Sequence, residues 1–151
     1  MKNIIIVTGG AGFIGSNLIK YLIKKNKYKI ISLDNYSTGS IKNHINHKNV
    51  KYIKANNIEI SKILKNYKSK IKTIFHFGEF SRIYQSFFKT WTCLNSNIYN
   101  SFEVINFAKD NNIRIIYSAT SSNLGNNGKD QNSSPYAWTK SKNIELIKNY
   151  S

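Results

Sequence analysis

The run Ile4-Ile5-Ile6-Val7 leads without interruption into Thr8-Gly9-Gly10-Ala11-Gly12-Phe13-Ile14-Gly15. Four consecutive apolar residues predict a strand buried on both faces. The small residues after it predict a tight turn, and Phe13 onward predicts a helix that starts at once. Such a junction holds a pyrophosphate, because the free N–H groups and the dipole of the helix start favour an anion. Glycine serves the turn, the close approach of the ligand and the contact between helix and strand. The spacing is Gly-x-x-Gly-x-x-Gly, at Gly9, Gly12 and Gly15, instead of the commoner Gly-x-Gly-x-x-Gly.

Strand-like and helix-like segments alternate beyond this junction. Strands are predicted over 3–8, 29–34, 50–54, 71–77 and 113–118. Helices are predicted over 13–26, 59–67, one long region from 82 to 110, and from Ser134-Pro135 to the chain end, with Ser134 as cap and Pro135 at the first helical position. A Gly/Asn-rich loop separates the last strand from the last helix. This alternation implies an α/β fold, a doubly wound parallel sheet of Rossmann-like type. The 151 residues are expected to form one NAD-binding domain, truncated before the last strands and before a substrate domain. In that case the fifth strand is an exposed edge.

Asp34 closes the second strand, where a carboxylate can accept hydrogen bonds from a ribose diol. A 2′-phosphate there would meet a negative charge, so NAD is favoured over NADP. Tyr136 and Lys140 are one turn apart and share a helix face. Thr120 follows the fifth strand at its carboxyl end, which in this fold opens into the ligand crevice. A lysine ammonium and a nicotinamide cation beside Tyr136 would favour its phenolate. Thr120 could hold the reacting oxygen. Together these groups could move a proton and a hydride.

The ordered series Thr8–Gly15, Leu33-Asp34-Asn35, His76-Phe77-Gly78, Asn97, Ser118-Ala119-Thr120 and Tyr136-Ala137-Trp138-Thr139-Lys140 resembles the extended short-chain dehydrogenase/reductases. More narrowly, it is similar to the NAD-dependent sugar-nucleotide epimerase/dehydratase family of the UDP-glucose 4-epimerase type. The resemblance implies that Gly9, Gly12, Phe13, Ile14 and Gly15 line the pyrophosphate and that Asp34 binds the adenosine ribose. It implies that Asn35, Ser37, Thr38 and Gly39 wrap the adenosine half. Asn56 would accept from the adenine amino group, in place of the family's usual Asp. Phe77 and Gly78 would pass beneath the middle of NAD, with Asn97 and Ser118 nearby. Thr120, Tyr136 and Lys140 would be catalytic, with Lys140 on the nicotinamide ribose and lowering the tyrosine pKa. Glu79 stands where the family has a small residue, so an altered pocket floor is expected. Asn100 replaces a common glycine. Thr120 is followed by Ser121-Ser122 instead of the Asp-Glu of the dehydratases, which argues against elimination of water.

The resemblance therefore implies C4 epimerisation of a nucleotide sugar, most naturally a UDP-hexose, through a keto intermediate. Another oxidoreductase or decarboxylase reaction of the family remains open, as does an inactive NAD-binding fragment. A homodimer is expected of a full-length relative. The formal net charge of +16 raises a nucleic-acid alternative. Against it, the basic residues include only two arginines, Arg82 and Arg114, and the lysines are spread over nearly every element. No nucleic-acid partner, membrane segment or metal is expected. His44 and His47 lack a third ligand. The lone Cys93 and the absence of a leader sequence point to a cytoplasmic setting.

Overall fold

The computed structural model describes residues 3–150. Five strands form one parallel sheet: β1 (Ile4–Thr8), β2 (Lys29–Asp34), β3 (Val50–Lys54), β4 (Ile71–His76) and β5 (Arg114–Tyr117). Their spatial order is β3-β2-β1-β4-β5. Each falls inside its predicted interval. β1 is central, and its side chains alternate between two cores. Ile4 and Ile6 join Ile31, Leu33, Ile74, Val104 and Phe107 on one face. Ile5 and Val7 join Ile19, Leu22 and Ile30 on the other. That double burial is why the sequence of β1 is apolar throughout. Removing the fully buried Ile6 side chain to alanine would cost roughly 2–5 kcal/mol.

Helix α1 (Phe13–Lys25) covers one face, through Ile19 and Leu22. Helices α2 (Ile60–Leu64) and, later in the chain, Asn100–Asp110 cover the other. From β1 the chain winds outward to β2 and β3, then returns to place β4 and β5 on the opposite side. The reversal opens a crevice outside the carboxyl ends of β1 and β4, where ligands bind in such sheets. Among the described residues β5 pairs only with β4, at the sheet edge.

The region predicted as one helix over 82–110 is broken. It consists of α3 (Ile83–Phe88), α4 (Thr90–Leu94), a π-helical turn (Asn95–Tyr99) and α5 (Asn100–Asp110). Lys89 leaves helical geometry at φ −119°, ψ 43°. The wider π turn accommodates Asn97 facing the interior, fully buried. No glycine or proline marks either break. The last helix, α6 (Pro135–Asn149), starts as predicted: Ser134 accepts a hydrogen bond from the Ala137 N–H at 3.0 Å. Its buried residues are Ala137, Thr139, Lys140, Ser141 and Asn143, so apart from Ala137 the face it turns inward is polar.

Candidate functional site

A cleft of about 530 Å³ runs along the carboxyl ends of the strands. Its middle is built from backbone. Gly9 has φ +69°, and a Cβ there would lie 2.7 Å from the Gly78 nitrogen. The two strand ends, after β1 and β4, therefore touch through glycine. A Cβ on Gly15 would lie 2.3 Å from the Gly9 carbonyl oxygen, so α1 can approach the turn only without a side chain there. Gly12 caps α1 with no side-chain acceptor, and no acidic residue lies in the first turn. The positive end of the helix dipole is thus left uncompensated by the protein, as an anionic ligand requires. Phe13 and Ile14 stand exposed at this lip of the cleft.

At one end of the cleft Asp34 is held firmly. Its Oδ2 accepts from the Ala11 N–H at 2.9 Å and its Oδ1 from the Tyr36 N–H at 2.8 Å. Each carboxylate oxygen retains a second lone-pair site for a hydroxyl. Tyr36 adopts a left-handed φ of 61° to make its contact. It is tied down by a 2.9 Å hydrogen bond between its hydroxyl and His44. His44 in turn stacks on Tyr52 with ring centroids 3.7 Å apart. Asn35, Ser37, Thr38 and Gly39 line the same end.

At the other end Ser118, Tyr136 and Lys140 face the cleft together with Glu79. Helix α6 supplies Tyr136 and Lys140, as their spacing predicts. The Lys140 ammonium is buried and ion-paired with the Glu79 carboxylate. It also lies 3.4 Å from Ser118 Oγ and 4.3 Å from the centre of the Tyr117 ring. Glu79 Oε1 accepts from Ser101 at 2.9 Å, from the Tyr117 hydroxyl at 2.9 Å and from Asn143 at 3.2 Å. Burial and Glu79 raise the Tyr117 pKa well above the usual phenol range, so Tyr117 stays a donor. His76, fully buried between Thr8 and Ser101, is pushed down to about 4 by burial, with Glu79 opposing and Lys140 reinforcing. It is therefore a neutral structural histidine at physiological pH.

Tyr136 is half-buried at the cleft wall. Its pKa is raised by burial; a hydrogen bond with Thr120 lowers it, and the negative charge of Glu79 raises it further. The Lys140 charge nearby is paired with the Glu79 carboxylate. Thr120 meets Tyr136 through its side chain, and it also caps the short turn Ser121–Asn123.

Two of the expected cofactor residues are placed away from the cleft wall. Asn56 is exposed; it caps the turn Asn57–Glu59 and accepts from Asn35 Nδ2 at 2.9 Å. Its neighbours Ala55 and Asn57 line the cleft instead, and Asn57 donates to the Gly78 carbonyl at 2.7 Å. The sequence points to Asn56; the turn over Asn57–Glu59 turns its side chain to Asn35 and leaves Asn57 on the cleft wall. Asn97 is buried behind the wall. It accepts from Phe80 N at 2.7 Å and donates to Phe80 O at 3.0 Å and to Thr139 Oγ1 at 3.1 Å. It fastens the segment after β4 to α6. Glu79 was visible in the sequence only as a departure from the small residue of the family pattern.

A family model described as the NAD dependent epimerase/dehydratase family matches residues 5–151. The chain belongs to this family. It is 34% identical over 139 residues to an uncharacterised protein of Methanocaldococcus jannaschii, covering 85% of this chain and 42% of that protein. It is 34% identical over 124 residues to the dTDP-D-glucose 4,6-dehydratase of Dictyostelium discoideum, covering 77% and 28%. The UDP-N-acetylglucosamine 4-epimerase of Methanobrevibacter ruminantium M1, solved in complex with UDP-N-acetylmuramic acid, superposes with a TM-score of 0.84 at 30% identity. That match covers 99% of this chain and 51% of the solved one. The chain therefore spans about half of that structure and less than half of these relatives.

Proposed function

We propose that residues 1–151 are the cofactor-binding and proton-transfer part of an NAD-dependent sugar-nucleotide epimerase acting at C4 of a UDP-hexose. The observation that carries this reading is the convergence on one cleft of the glycine turn, Asp34 and the Tyr136–Lys140 pair. The residues fit NAD on three counts. The helix start is free of acidic side chains, Gly9 and Gly15 lie where a Cβ would collide, and a fixed carboxylate stands at the far end. Gly12, Phe13 and Ile14 would face the pyrophosphate, and Asp34 the adenosine ribose. Asn35, Ser37, Thr38, Gly39 and Asn57 would surround the adenosine, with Phe77 and Gly78 beneath the middle. Ser118 and Lys140 would hold the nicotinamide ribose.

Tyr136 would take the proton of the sugar 4-hydroxyl at its Oη, with Thr120 orienting the two oxygens. Bound next to that carbon, NAD would supply the site that takes up its hydride and gives it back to the opposite face of the sugar. The raised pKa of Tyr136 disfavours the phenolate in the free protein, so a positive charge brought by the oxidised cofactor would favour it. Ser121 and Ser122 after Thr120 supply no acid–base pair for loss of water, which favours epimerisation over the dehydratase reaction. The exposed aromatic residues Tyr84, Phe88 and Trp91 would offer an apolar surface for a homodimer.

The test is interconversion of UDP-glucose and UDP-galactose with NAD⁺ present. Tyr136→Phe should lower it by at least about 100-fold while NAD⁺ binding persists. Undiminished conversion in that variant overturns the role of Tyr136. NAD⁺ binding with no conversion by the unaltered chain supports a solely cofactor-binding role.

A further inference from the structure

Glu79 places a buried carboxylate in the floor of the cleft, beside the tyrosine and lysine. The pair it forms with Lys140 is nearly sealed, each side chain about 3% exposed. Three elements supply its partners: Ser101 from α5, Tyr117 from β5, and Asn143 with Lys140 from α6; His76 of β4 lies 3.9 Å from Glu79. The titratable groups facing the pair are His76, Cys93, Tyr117 and Tyr136; burial lowers the pKa of the first and raises those of the other three, so all four are neutral at physiological pH. Arg82 lines the same cleft but is solvent-exposed. The sealed part of the floor therefore carries one positive and one negative charge and is balanced.

We propose that Glu79 is a positioning residue that sets the relative affinity of the cleft for the oxidised and reduced nicotinamide, by holding Lys140 in a charge-neutral pair. The proposal rests on the NAD reading. The oxidised ring carries a positive charge and the reduced ring carries none. An unpaired lysine in a low-dielectric floor would repel only the oxidised form. The pairing removes that repulsion, so the cleft holds NAD⁺ without favouring NADH. Bound NAD⁺ is then a milder oxidant than it would be beside a bare ammonium. A cofactor that must take a hydride and give it back requires such a balance.

The test is titration of the protein with NAD⁺ and separately with NADH at pH 8. The quantity read is the ratio of the two affinities. Both forms share the adenosine, the pyrophosphate and the two riboses, so damage to the cleft in general changes both affinities and leaves the ratio alone. Glu79→Gln keeps the shape and removes the charge. It should shift the ratio towards NADH by about tenfold, which corresponds to about 30 mV in the potential of the bound two-electron couple. The double variant Glu79→Gln/Lys140→Met restores neutrality and should return the ratio to within about twofold of the parent. If Glu79→Gln fails to fold, Lys140→Met carries the test with the opposite sign, because an unpaired carboxylate favours the cation. An unchanged ratio in a folded single variant overturns the proposal, as does an equal loss of both affinities. If the parent binds neither form, the NAD reading itself fails and the proposal with it.

Discussion

The two ends of the cleft are built by different means. The glycine turn, Asp34 and α1 rest on backbone geometry and on an apolar sheet. Ile5, Val7, Ile19 and Leu22 pack without a polar partner, and the ligand-facing groups are N–H donors and one tethered carboxylate. The opposite end is a buried polar assembly in which Glu79, Lys140, Tyr117, Asn143 and Ser101 satisfy one another. Asn97 bolts the segment after β4 to α6 beside it. The first end tolerates many side-chain changes but few backbone ones. The second is the reverse, because a buried polar group that loses its partner forfeits its full desolvation cost.

The sharpest break of this contrast is Gly9→Val. A β-branched residue at φ +69° with its Cβ against Gly78 should cost about 3 kcal/mol or more and reduce NAD⁺ affinity by at least about 100-fold. Urea denaturation and cofactor titration read the two effects. A variant with wild-type stability would show that the turn is not backbone-limited.

Acid should attack the polar end next. His76 has its pKa depressed to about 4 in the folded chain, against an ordinary value near 6.5. The unfolded chain therefore binds the extra proton first. The contribution of neutral His76 is complete above about pH 6.5 and is lost as pH falls towards 4, amounting to about 3 kcal/mol. The urea midpoint measured across that window should fall. A flat profile would remove His76 from the account.

Asn97→Ala comes third. It strips four hydrogen bonds, to Phe80 N and O, Thr139 and the Cys93 sulfur, from a buried site and should cost about 2 kcal/mol. The loss should appear as faster amide exchange in α6 and the segment after β4, with the β1–α1 turn unaffected. Exchange rising equally in both regions would mean that the two ends are not separable. The smallest effect is reserved for Asn56→Ala. Loss of its cap should cost about 1 kcal/mol. NAD⁺ affinity should stay within about twofold, because Asn57 and not Asn56 lines the cleft. A large loss of affinity would restore Asn56 as an adenine contact.

Legibility in the sequence follows the same division. The five strands, α1 and the start of α6 were readable because periodicity, glycine spacing and the Ser134-Pro135 cap are local signals. The breaks at Lys89 and over Asn95–Tyr99 were not, because no glycine or proline accompanies them. The second of them lies where a buried Asn97 faces inward. Tyr136 and Lys140 were found by their one-turn spacing. Their electrostatic state was not, since it depends on Glu79, which joins them only when β4 and α6 meet.

The sequence by itself determined the alternating α/β order, the anion-binding turn and the carboxylate at the end of β2. These depend on residues close together in the chain, where local geometry leaves few choices. Tertiary structure alone decided that Lys140 is charge-paired, that the Tyr136 pKa is raised in the free protein, and that Asn97 is a fastening. Those properties belong to groups brought from β4, β5, α5 and α6 into one desolvated space. There the energy of each charge is set by what else is buried with it.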